Sequence, residues 1–302
     1  MINVTKPLLQ ESAVALGLFD GVHLGHRKVL EGAVKSASCG LLPCAFTFNT
    51  ETFPKKHGKL FEFLYTDESK SRLLSECGIK AIYSPTFSEI CKTDGESFCR
   101  DILRDMLNAR RVFCGSDFRF GKGAKCGFEE LSEFGRKMGF ETVLVDAVNI
   151  CGNEVSSTLI REYLRTGRPQ IATELLGRAY EISGEIIHGK ELGRTIDFPT
   201  INQSFKKNQL VPAKGVYLSQ IQTSRGTFYG VTNIGVKPTV TRENIPLAET
   251  NIFDFTGDLY GEFCITRLLR YLRPERKFEN IAALKAAIMQ DCENARRLAK
   301  TI

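Results

Sequence analysis

Two histidines, His23 and His26, stand three residues apart where an apolar run gives way to a helical pattern. Residues 14–19 are apolar and suit a buried strand, an Asp-Gly turn follows, and residues 24–37 have helical spacing. We therefore expect both histidines at a helix N-terminus, where free N–H groups and the helix dipole favour a polyphosphate. Imidazoles there can donate hydrogen bonds to phosphate oxygens as charge develops during displacement at phosphorus. A structural interpretation, in which one histidine caps the helix and the other packs, stays open.

The first half of the chain has the elements needed to position such a pair. Strand-like and helix-like segments alternate along it, at residues 44–48, 68–77, 81–83, 96–108, 111–114, 129–138 and 142–145. This order predicts a Rossmann-like α/β domain with a parallel sheet, in which ligands bind at the carboxyl ends of the strands. Loops that follow other strands of the sheet should therefore meet the histidines.

Two later segments carry side chains suited to that place. A glycine-bracketed loop at residues 114–121 ends a strand and displays Asp117, although an Asp there can also cap its own loop. The run Val-Ser-Ser-Thr-Leu-Ile-Arg at residues 155–161 opens a helix with three hydroxyl side chains. Hydroxyl groups at this position cap a helix or bind phosphate, and the two roles can coexist.

The run Gly-Leu-Phe-Asp-Gly-Val-His-Leu-Gly-His at residues 17–26 resembles the signature of nucleotidyltransferases, in the form carried by prokaryotic bifunctional riboflavin kinase/FMN adenylyltransferases. The resemblance implies that this domain adenylylates FMN to FAD and releases pyrophosphate, with His23 and His26 as catalytic residues. It implies flavin contacts at Asp117 and Phe118. It also implies that the phosphates of ATP are bound by Gly17, Phe19, Asp20, Gly25, Ser156, Ser157, Thr158 and Arg161.

Beyond a connecting helix predicted near residues 167–176, the pattern changes. Short alternating runs separated by glycine and proline occur at residues 180–187, 216–221, 228–234 and 262–269. They predict a small antiparallel β-barrel, and an amphipathic helix at residues 280–300 should pack one face on it. We therefore expect two domains, residues 1–180 and 181–302.

One segment of the second half imitates a phosphate-binding loop. Residues 184–191 have the spacing of a Walker A motif, except that Glu191 replaces the Ser or Thr that would hold magnesium and no helical pattern follows. We therefore reject a P-loop. A glycine-bearing loop remains, which could cover the phosphates of ATP through Gly189, Lys190 and Gly193.

Three motifs of the second half resemble those of riboflavin kinases. Phe-Pro-Thr-Ile-Asn at residues 198–202 is similar to the family's Pro-Thr-Ala-Asn motif, and the oxygens of Thr200 and Asn202 suit Mg²⁺. Glu-Thr-Asn-Ile-Phe-Asp-Phe, followed by Asp-Leu-Tyr-Gly, implies Glu249 as the base that accepts the proton of the ribityl 5′-hydroxyl. Arg-Pro-Glu-Arg-Lys-Phe implies that Arg273 contacts flavin. The second domain should therefore phosphorylate riboflavin to FMN.

Besides Ile201, which stands in place of the alanine of Pro-Thr-Ala-Asn, the chain departs from the family pattern at three positions. Glu51 stands where the family usually carries a histidine after its second strand, Asp197 replaces a glycine, and Asn251 replaces a histidine. An anion at position 51 leaves open a riboflavin kinase with a degenerate adenylyltransferase domain. A non-catalytic flavin-responsive regulator is the other alternative, and the retained Glu249 argues against it.

The composition agrees with an enzyme that acts on small anionic substrates. The chain has 302 residues, enough for two domains, and a scattered net charge of +6. Its ten cysteines lack metal-binding spacing and are expected to be reduced, no signal peptide is evident, and no apolar run reaches the ~18 residues that cross a membrane. We expect a cytoplasmic monomer or weak homo-oligomer that uses Mg²⁺, ATP, riboflavin and FMN, without nucleic-acid or membrane partners.

Overall fold

The computed structural model describes five stretches of the chain, residues 1–50, 52–54, 60–188, 198–238 and 244–302. Contacts divide the chain into two compact units, Met1–Ser157 and Thr158–Ile302. The boundary predicted after residue 180 lies beyond this division. It stays a prediction about where the two functional domains separate.

The first unit is an α/β domain built on a six-stranded sheet. The strands of this sheet are β1 (Ile2–Asn3), β2 (Ser12–Leu16), β3 (Leu42–Phe46), β4 (Ala81–Tyr83), β5 (Ala109–Gly115) and β6 (Glu141–Val145). A short hairpin follows, formed by β7 (Asn149–Ile150) and β8 (Asn153–Glu154). The helices are α1 (Leu24–Lys35), α2 (Asp67–Glu76), α3 (Phe87–Ile90), α4 (Gly95–Ser97) and α5 (Phe128–Met138), with a π-helix at Phe98–Met106 and 3₁₀ turns at Ser36–Cys39 and Lys122–Ala124.

The sheet is parallel, and its strand order is β1-β4-β3-β2-β5-β6. Every residue of β2 is buried, as expected for a central parallel strand whose two faces are covered. From β2 the chain builds β3 and β4 on one side and then β5 and β6 on the other. The order thus reverses between β2 and β5, and ligands of open α/β sheets bind at the carboxyl ends of the strands at such a point. The predicted parallel α/β fold is confirmed.

The sequence prediction did not include α3 or the hairpin, and two further features of this unit differ from it. β1 was not expected, because two exposed residues show no alternation, yet Ile2 donates its N–H to the carbonyl oxygen of Lys80 at 2.7 Å and extends the sheet. The helix predicted at residues 96–108 consists of α4 continued by a π-helix. A stretch of i→i+5 hydrogen bonds this short changes the side-chain pattern too little to be seen in one sequence.

The second unit contains helices and an antiparallel barrel. Its helices are α6 (Ser157–Arg165), whose first residue falls on the other side of the division, α7 (Pro169–Leu176) and α8 (Ile281–Ala299). Its strands are β9 (Tyr180–Glu185), β10 (Ile201–Ser204), β11 (Gly215–Thr223), β12 (Gly226–Pro238), β13 (Asn244–Ile252) and β14 (Phe263–Arg273).

The six strands form one antiparallel sheet in the order β10-β13-β12-β11-β14-β9. The two edges of this sheet approach each other, because a bridge joins Ile187, two residues beyond β9, to Asn202 on β10. The side-chain nitrogen of Gln203 on β10 also donates to the carbonyl oxygens of Gly184 at 3.3 Å and Cys264 at 2.9 Å. The sheet is therefore a near-closed barrel, as predicted. β10 and β13 were not predicted as strands, because the polar residues of their motifs hide the alternation.

Local signals set the ends of the helices in this unit. α7 stops at Gly177, whose φ of 68° is a left-handed value that favours glycine. α8 starts after Asn280, whose side-chain oxygen accepts the N–H of Ala283 at 2.8 Å. α8 packs one face on the barrel, as predicted, and buries Ala287, Asp291 and Ala295.

Candidate active sites

The first candidate site follows β2, at the carboxyl edge of the sheet beside the reversal of strand order. Phe19, Gly21 and Val22 have φ values of 50°, 91° and 42°, in the left-handed region that a β-branched residue rarely adopts. Asp20 holds this turn, because its Oδ1 accepts the N–H of Leu64 at 2.7 Å. Strained turns persist where the surroundings over-determine them, and they cluster at ligand sites.

His23 and His26 form one unit at the start of α1. His23 is the N-cap residue, and its Nδ1 accepts the backbone N–H of His26 at 3.3 Å. The two rings stack with centroids 3.6 Å apart and planes 17° apart, and Phe19 makes a T-shaped contact with His26 at 5.4 Å between centroids. Because Nδ1 accepts, a neutral His23 carries its proton on Nε2 as a hydrogen-bond donor. His23 therefore caps the helix, as the structural interpretation held, and its other nitrogen is suited to phosphate.

Two glycines allow the close approaches in this loop. A Cβ on Gly17 would lie 2.9 Å from the ring of Phe19. A Cβ on Gly25 would lie 3.2 Å from the His23 ring and 3.5 Å from the carbonyl oxygen of Val155. A side chain at position 17 would therefore require the Phe19 ring to shift, and one at position 25 would crowd the His23 ring.

Loops from other parts of the first unit reach the same edge. The hydroxyl of Ser157 donates to the carbonyl oxygen of Asp20 at 2.7 Å, which ties the predicted hydroxyl-rich segment to the turn after β2. Asp117 lies exposed in the loop after β5, and its neighbour Phe118 stacks on Phe120 with centroids 5.9 Å apart. Polar groups from three loops thus lie where the strand order reverses.

Sequence reasoning missed a buried lysine beside this site. The Nζ of Lys70 on α2 donates to the carbonyl oxygen of Phe48 at 2.7 Å and pairs with Asp67 at 3.1 Å, and the other carboxylate oxygen of Asp67 accepts the N–H of Thr50 at 2.8 Å. Burial lowers the pKa of Lys70, and the nearby carboxylates of Asp67 and Asp20 oppose that shift. The Lys70–Asp67 pair fixes the segment that follows β3. A single lysine within a charged helix gives no sign of this role in the sequence.

The second candidate site is a cavity of about 320 Å³ between the barrel and α8. Its apolar lining comes from Phe198, Val216, Val231, Phe278, Leu284 and Ile288. Its polar lining includes Thr200, Asn233, Glu249, Asn251 and Arg273. A mostly apolar cavity with a few polar groups has the composition of a small-molecule site.

A second cavity of the barrel, of about 300 Å³, borders the first. Thr200 lines both cavities. The smaller cavity is also lined by Tyr260, whose ring stacks on His188 with centroids 3.8 Å apart. A ligand group held at Thr200 is therefore within reach of molecules in either cavity.

Strand register places three polar residues of the barrel in one row. Asn202 on β10 pairs with Glu249 on β13, which pairs with Asn233 on β12, and directly paired residues share a face. Asn202 is only 3% exposed, and its Oδ1 accepts no hydrogen bond from any described residue. A buried oxygen without a donor is costly, and a hard cation such as Mg²⁺ would satisfy it. The predicted metal-binding residues therefore fit Mg²⁺ in their donor type.

Arg273 is anchored to α8. Its Nε and Nη2 donate to the two carboxylate oxygens of Asp291 at 2.9 and 2.7 Å. Both side chains are largely buried, and a bidentate pair of this kind fixes geometry as well as charge. Both residues also line the larger cavity, so the ion pair fixes the position of this part of the cavity wall. Sequence reasoning missed Asp291, because a single acidic residue in an amphipathic helix is expected to face solvent.

Two family models match the chain in succession. One described as FAD synthetase matches residues 5–159, and one described as riboflavin kinase matches residues 176–299. The bifunctional riboflavin kinase/FMN adenylyltransferase of Escherichia coli (strain K12) is 32% identical over 305 residues, which cover 97% of this chain and 95% of that protein. The protein of the same name from Bacillus subtilis (strain 168) is 33% identical over 308 residues, which cover 98% of this chain and 97% of that protein. The chain belongs to this family.

The bifunctional riboflavin kinase/FMN adenylyltransferase family accounts for both units. The chain is an enzyme with a riboflavin kinase and an FMN adenylyltransferase activity, as predicted, and its substrates are ATP and flavins. The two domain matches also follow the predicted order. A non-catalytic regulator receives no support from these comparisons.

A solved structure also resembles the chain. A protein from Streptococcus pneumoniae described as a macrolide-efflux protein has a TM-score of 0.86 and 28% identity, with 98% of this chain and 99% of that chain covered. Within the described stretches, no helix combines the length and apolar character needed to cross a bilayer.

Several site residues predicted for this family stay predictions. Ser156 is half-buried beside Ser157, whereas the exposed Thr158 and the buried Arg161 fall in the second compact unit. Other positions singled out in the sequence lie outside the described residues, namely Glu51, Gly189, Lys190, Glu191, Gly193 and Asp197.

Proposed function

We propose that the kinase domain transfers the γ-phosphoryl group of ATP to riboflavin at Thr200. The observation that supports this is that Thr200 lines both cavities of the barrel. The cavity beside α8 has the apolar lining that an isoalloxazine ring requires, and the smaller cavity would hold ATP. ATP, the phosphoryl donor, and riboflavin, the acceptor, then meet at one residue. Holding two reactants in contact removes a large part of the activation free energy of their reaction.

Glu249 is the proposed base of this reaction, because it lines the flavin cavity. The ribityl 5′-hydroxyl gives its proton to the Glu249 carboxylate, and its oxygen bonds to the γ-phosphorus. The bond between that phosphorus and the bridging oxygen of ADP breaks, so that ADP leaves. Arg273 and Asp291 keep the wall of the flavin cavity in place.

Mg²⁺ is proposed to be held in this domain by Thr200 and Asn202. The buried side-chain oxygen of Asn202, which no described donor satisfies, supports this assignment. When bound, Mg²⁺ neutralises charge on the phosphates of ATP. Thr200 and Asn202 would thereby keep the phosphates at the junction of the two cavities.

For the adenylyltransferase domain we propose a direct in-line displacement. A phosphate oxygen of FMN bonds to the α-phosphorus of ATP, and the bond from that phosphorus to the β-phosphate breaks and releases pyrophosphate. The Nε2–H of His23 and the ring of His26 donate hydrogen bonds where negative charge develops. Ser156 and Ser157 are proposed to hold phosphates, and Asp117 and Phe118 to contact the flavin.

Three further proposals concern the whole chain. We propose that the enzyme acts in the cytoplasm, as a monomer or weak homo-oligomer, and without a nucleic-acid partner. A net charge of +6 over 302 residues is modest for a nucleic-acid binder. Sedimentation of the purified chain with and without its substrates measures the oligomeric state.

The testing experiment incubates the purified chain with riboflavin, ATP and Mg²⁺ and separates the flavins by chromatography over time. FMN that appears before FAD is the expected result. FMN without FAD would mean that the adenylyltransferase domain is degenerate, the alternative raised by Glu51, and absence of both products would overturn the proposal. Glu249→Gln should abolish FMN formation and still convert supplied FMN into FAD. Loss of both activities in that variant would contradict two independent sites.

A further inference from the structure

One side chain outside the proposed catalytic groups bridges the two cavities of the kinase domain. Asn251, two residues after Glu249 on β13, donates a hydrogen bond from Nδ2 to the carbonyl oxygen of Pro199 at 2.9 Å. Asn251 lines the cavity beside α8, whereas Pro199 lines the smaller cavity. The bond therefore joins a residue that lines one cavity to a residue that lines the other.

Among the residues that the structure describes, none forms a strand pair with residues 199 and 200. β10 begins at Ile201, whose partner on β13 is Thr250, and the paired register of the two strands starts there. Pro199 lacks an N–H and cannot donate to a neighbouring strand. The side-chain amide of Asn251 makes a hydrogen bond just before the first paired residue of β10. This bond therefore fixes the direction in which residues 199 and 200 lead into β10.

We propose that Asn251 is a positioning residue that holds Thr200 at the junction of the two substrates. This inference rests on the kinase function proposed above. Asn251 acts through Pro199, which directly precedes Thr200, and it shares a face of β13 with Glu249, because alternate residues of a strand point to the same side. One hydrogen bond thus ties the segment that carries the metal-binding hydroxyl to the strand that carries the base.

The proposal depends on an N–H donor at position 251, and substitutions at this position can remove or keep that donor. Asn251→Leu keeps a side chain of similar size and removes the donor, whereas Asn251→His provides a ring N–H. Gln222→Leu is a matched control, because Gln222 is an exposed amide on β11 that accepts a hydrogen bond from Arg267 at 2.9 Å and lines neither cavity. The control removes an equivalent side-chain amide from the same barrel.

The experiment measures steady-state FMN formation by the full-length variants, with riboflavin binding in the absence of ATP measured by flavin fluorescence. Because a displacement of about 1 Å can cost about 100-fold in rate, Asn251→Leu should lower kcat about 10- to 100-fold and leave the Kd of riboflavin little changed. Asn251→His should keep most of kcat, and Gln222→Leu should match the wild type. Conversion of FMN into FAD by the other domain should be unchanged in all variants.

Three results would overturn the inference. Asn251→Leu could keep the wild-type kcat, the His and Leu variants could be equally impaired, or the main effect could be a raised Kd of riboflavin, which would make Asn251 a flavin contact. If Asn251→Leu also loses FAD formation, Asn251→Ser decides instead, because serine is too short to reach Pro199 and removes less apolar contact. A wild-type chain that forms no FMN would refute the proposed function itself, and that result requires no variant.

Discussion

His23 Nδ1 accepts the backbone N–H of His26 while the two imidazole rings stack 3.6 Å apart. One histidine therefore performs two tasks, since it caps α1 through Nδ1 and presents Nε2 as a donor. Because the ring of His26 rests on the ring of His23, a change at either position alters the surroundings of the other. The pair should behave as one unit rather than as two additive groups.

His23→Asn separates the two tasks. Asparagine also caps helices, so the unfolding temperature should stay near that of the wild type while FAD formation from FMN falls about 100-fold or more. His26→Asn should show a similar loss, and the double variant should lose less than the product of the two single losses. Thermal unfolding and the rate of FMN adenylylation measure these effects. Riboflavin phosphorylation is the internal control, and its loss would point to general damage.

The ion pair between Arg273 and Asp291 should matter for riboflavin binding. Asp291→Asn removes the charge of the pair and should raise the KM for riboflavin and lower the free energy of unfolding of the kinase domain by about 2 kcal/mol. Glu293→Gln, an exposed acid on the same helix, is the matched control and should change neither quantity. Steady-state kinetics and denaturant unfolding measure both. An unchanged KM in Asp291→Asn would mean that the pair does not shape the flavin cavity.

Lys70→Met should impair the adenylyltransferase domain without touching its proposed catalytic groups. The substitution leaves Asp67 without its partner and frees the carbonyl of Phe48, so we expect a loss of about 3 kcal/mol in stability and a raised KM for FMN or ATP. Lys35→Met is the control, because Lys35 pairs with Glu31 at an exposed site. Urea unfolding and FAD formation are the measurements. Equal effects of the two substitutions would refute a role for the buried pair.

Buried and exposed cysteines should react with a thiol reagent at different rates. Desolvation raises the pKa of Cys44, Cys99 and Cys114 to about 12, so these thiols stay protonated and unreactive at pH 8. Cys39 and Cys151 are exposed and should carry the fast phase of labelling in the native protein. Replacing both with serine should remove that phase. A fast phase that survives would place a reactive thiolate elsewhere in the chain.

The sequence predicts the fold well where apolar spacing is strong. Residues 81–83 were predicted as a strand and form β4, and the closing helix is found within one residue of its predicted ends. Prediction fails where packing rather than pattern decides, as in β1, which two exposed residues form by pairing with β4. β13 was missed as well, because the polar residues that give its motif a function interrupt its alternation.

The residues of the candidate sites also fall into two groups, those that a sequence motif indicates and those whose role depends on a contact in the folded chain. Motif residues such as His23 and Glu249 could be proposed from residue type and spacing, because the chemistry proposed for them requires those types. Lys70 and Asp291 could not, since Lys70 gains its role from the carbonyl oxygen of Phe48 and Asp291 from Arg273, contacts that only the folded chain brings near. Asn251 was visible only as a departure from a pattern, and its bond to Pro199 depends on where β10 begins.

Gln203 has a consequence for the behaviour of the protein at high concentration. Its amide lies between β10 and β9, the two edge strands of the sheet. The side-chain oxygen accepts the hydroxyl of Thr266 at 2.7 Å, and the side-chain nitrogen donates to the carbonyl oxygen of Gly184 on β9 at 3.3 Å. An open sheet would offer these two strands to a neighbouring chain as a template for edge-to-edge association. The Gln203 side chain and the bridge between Ile187 and Asn202 occupy part of both edges, which leaves the kinase domain fewer backbone groups with which to recruit a neighbouring chain.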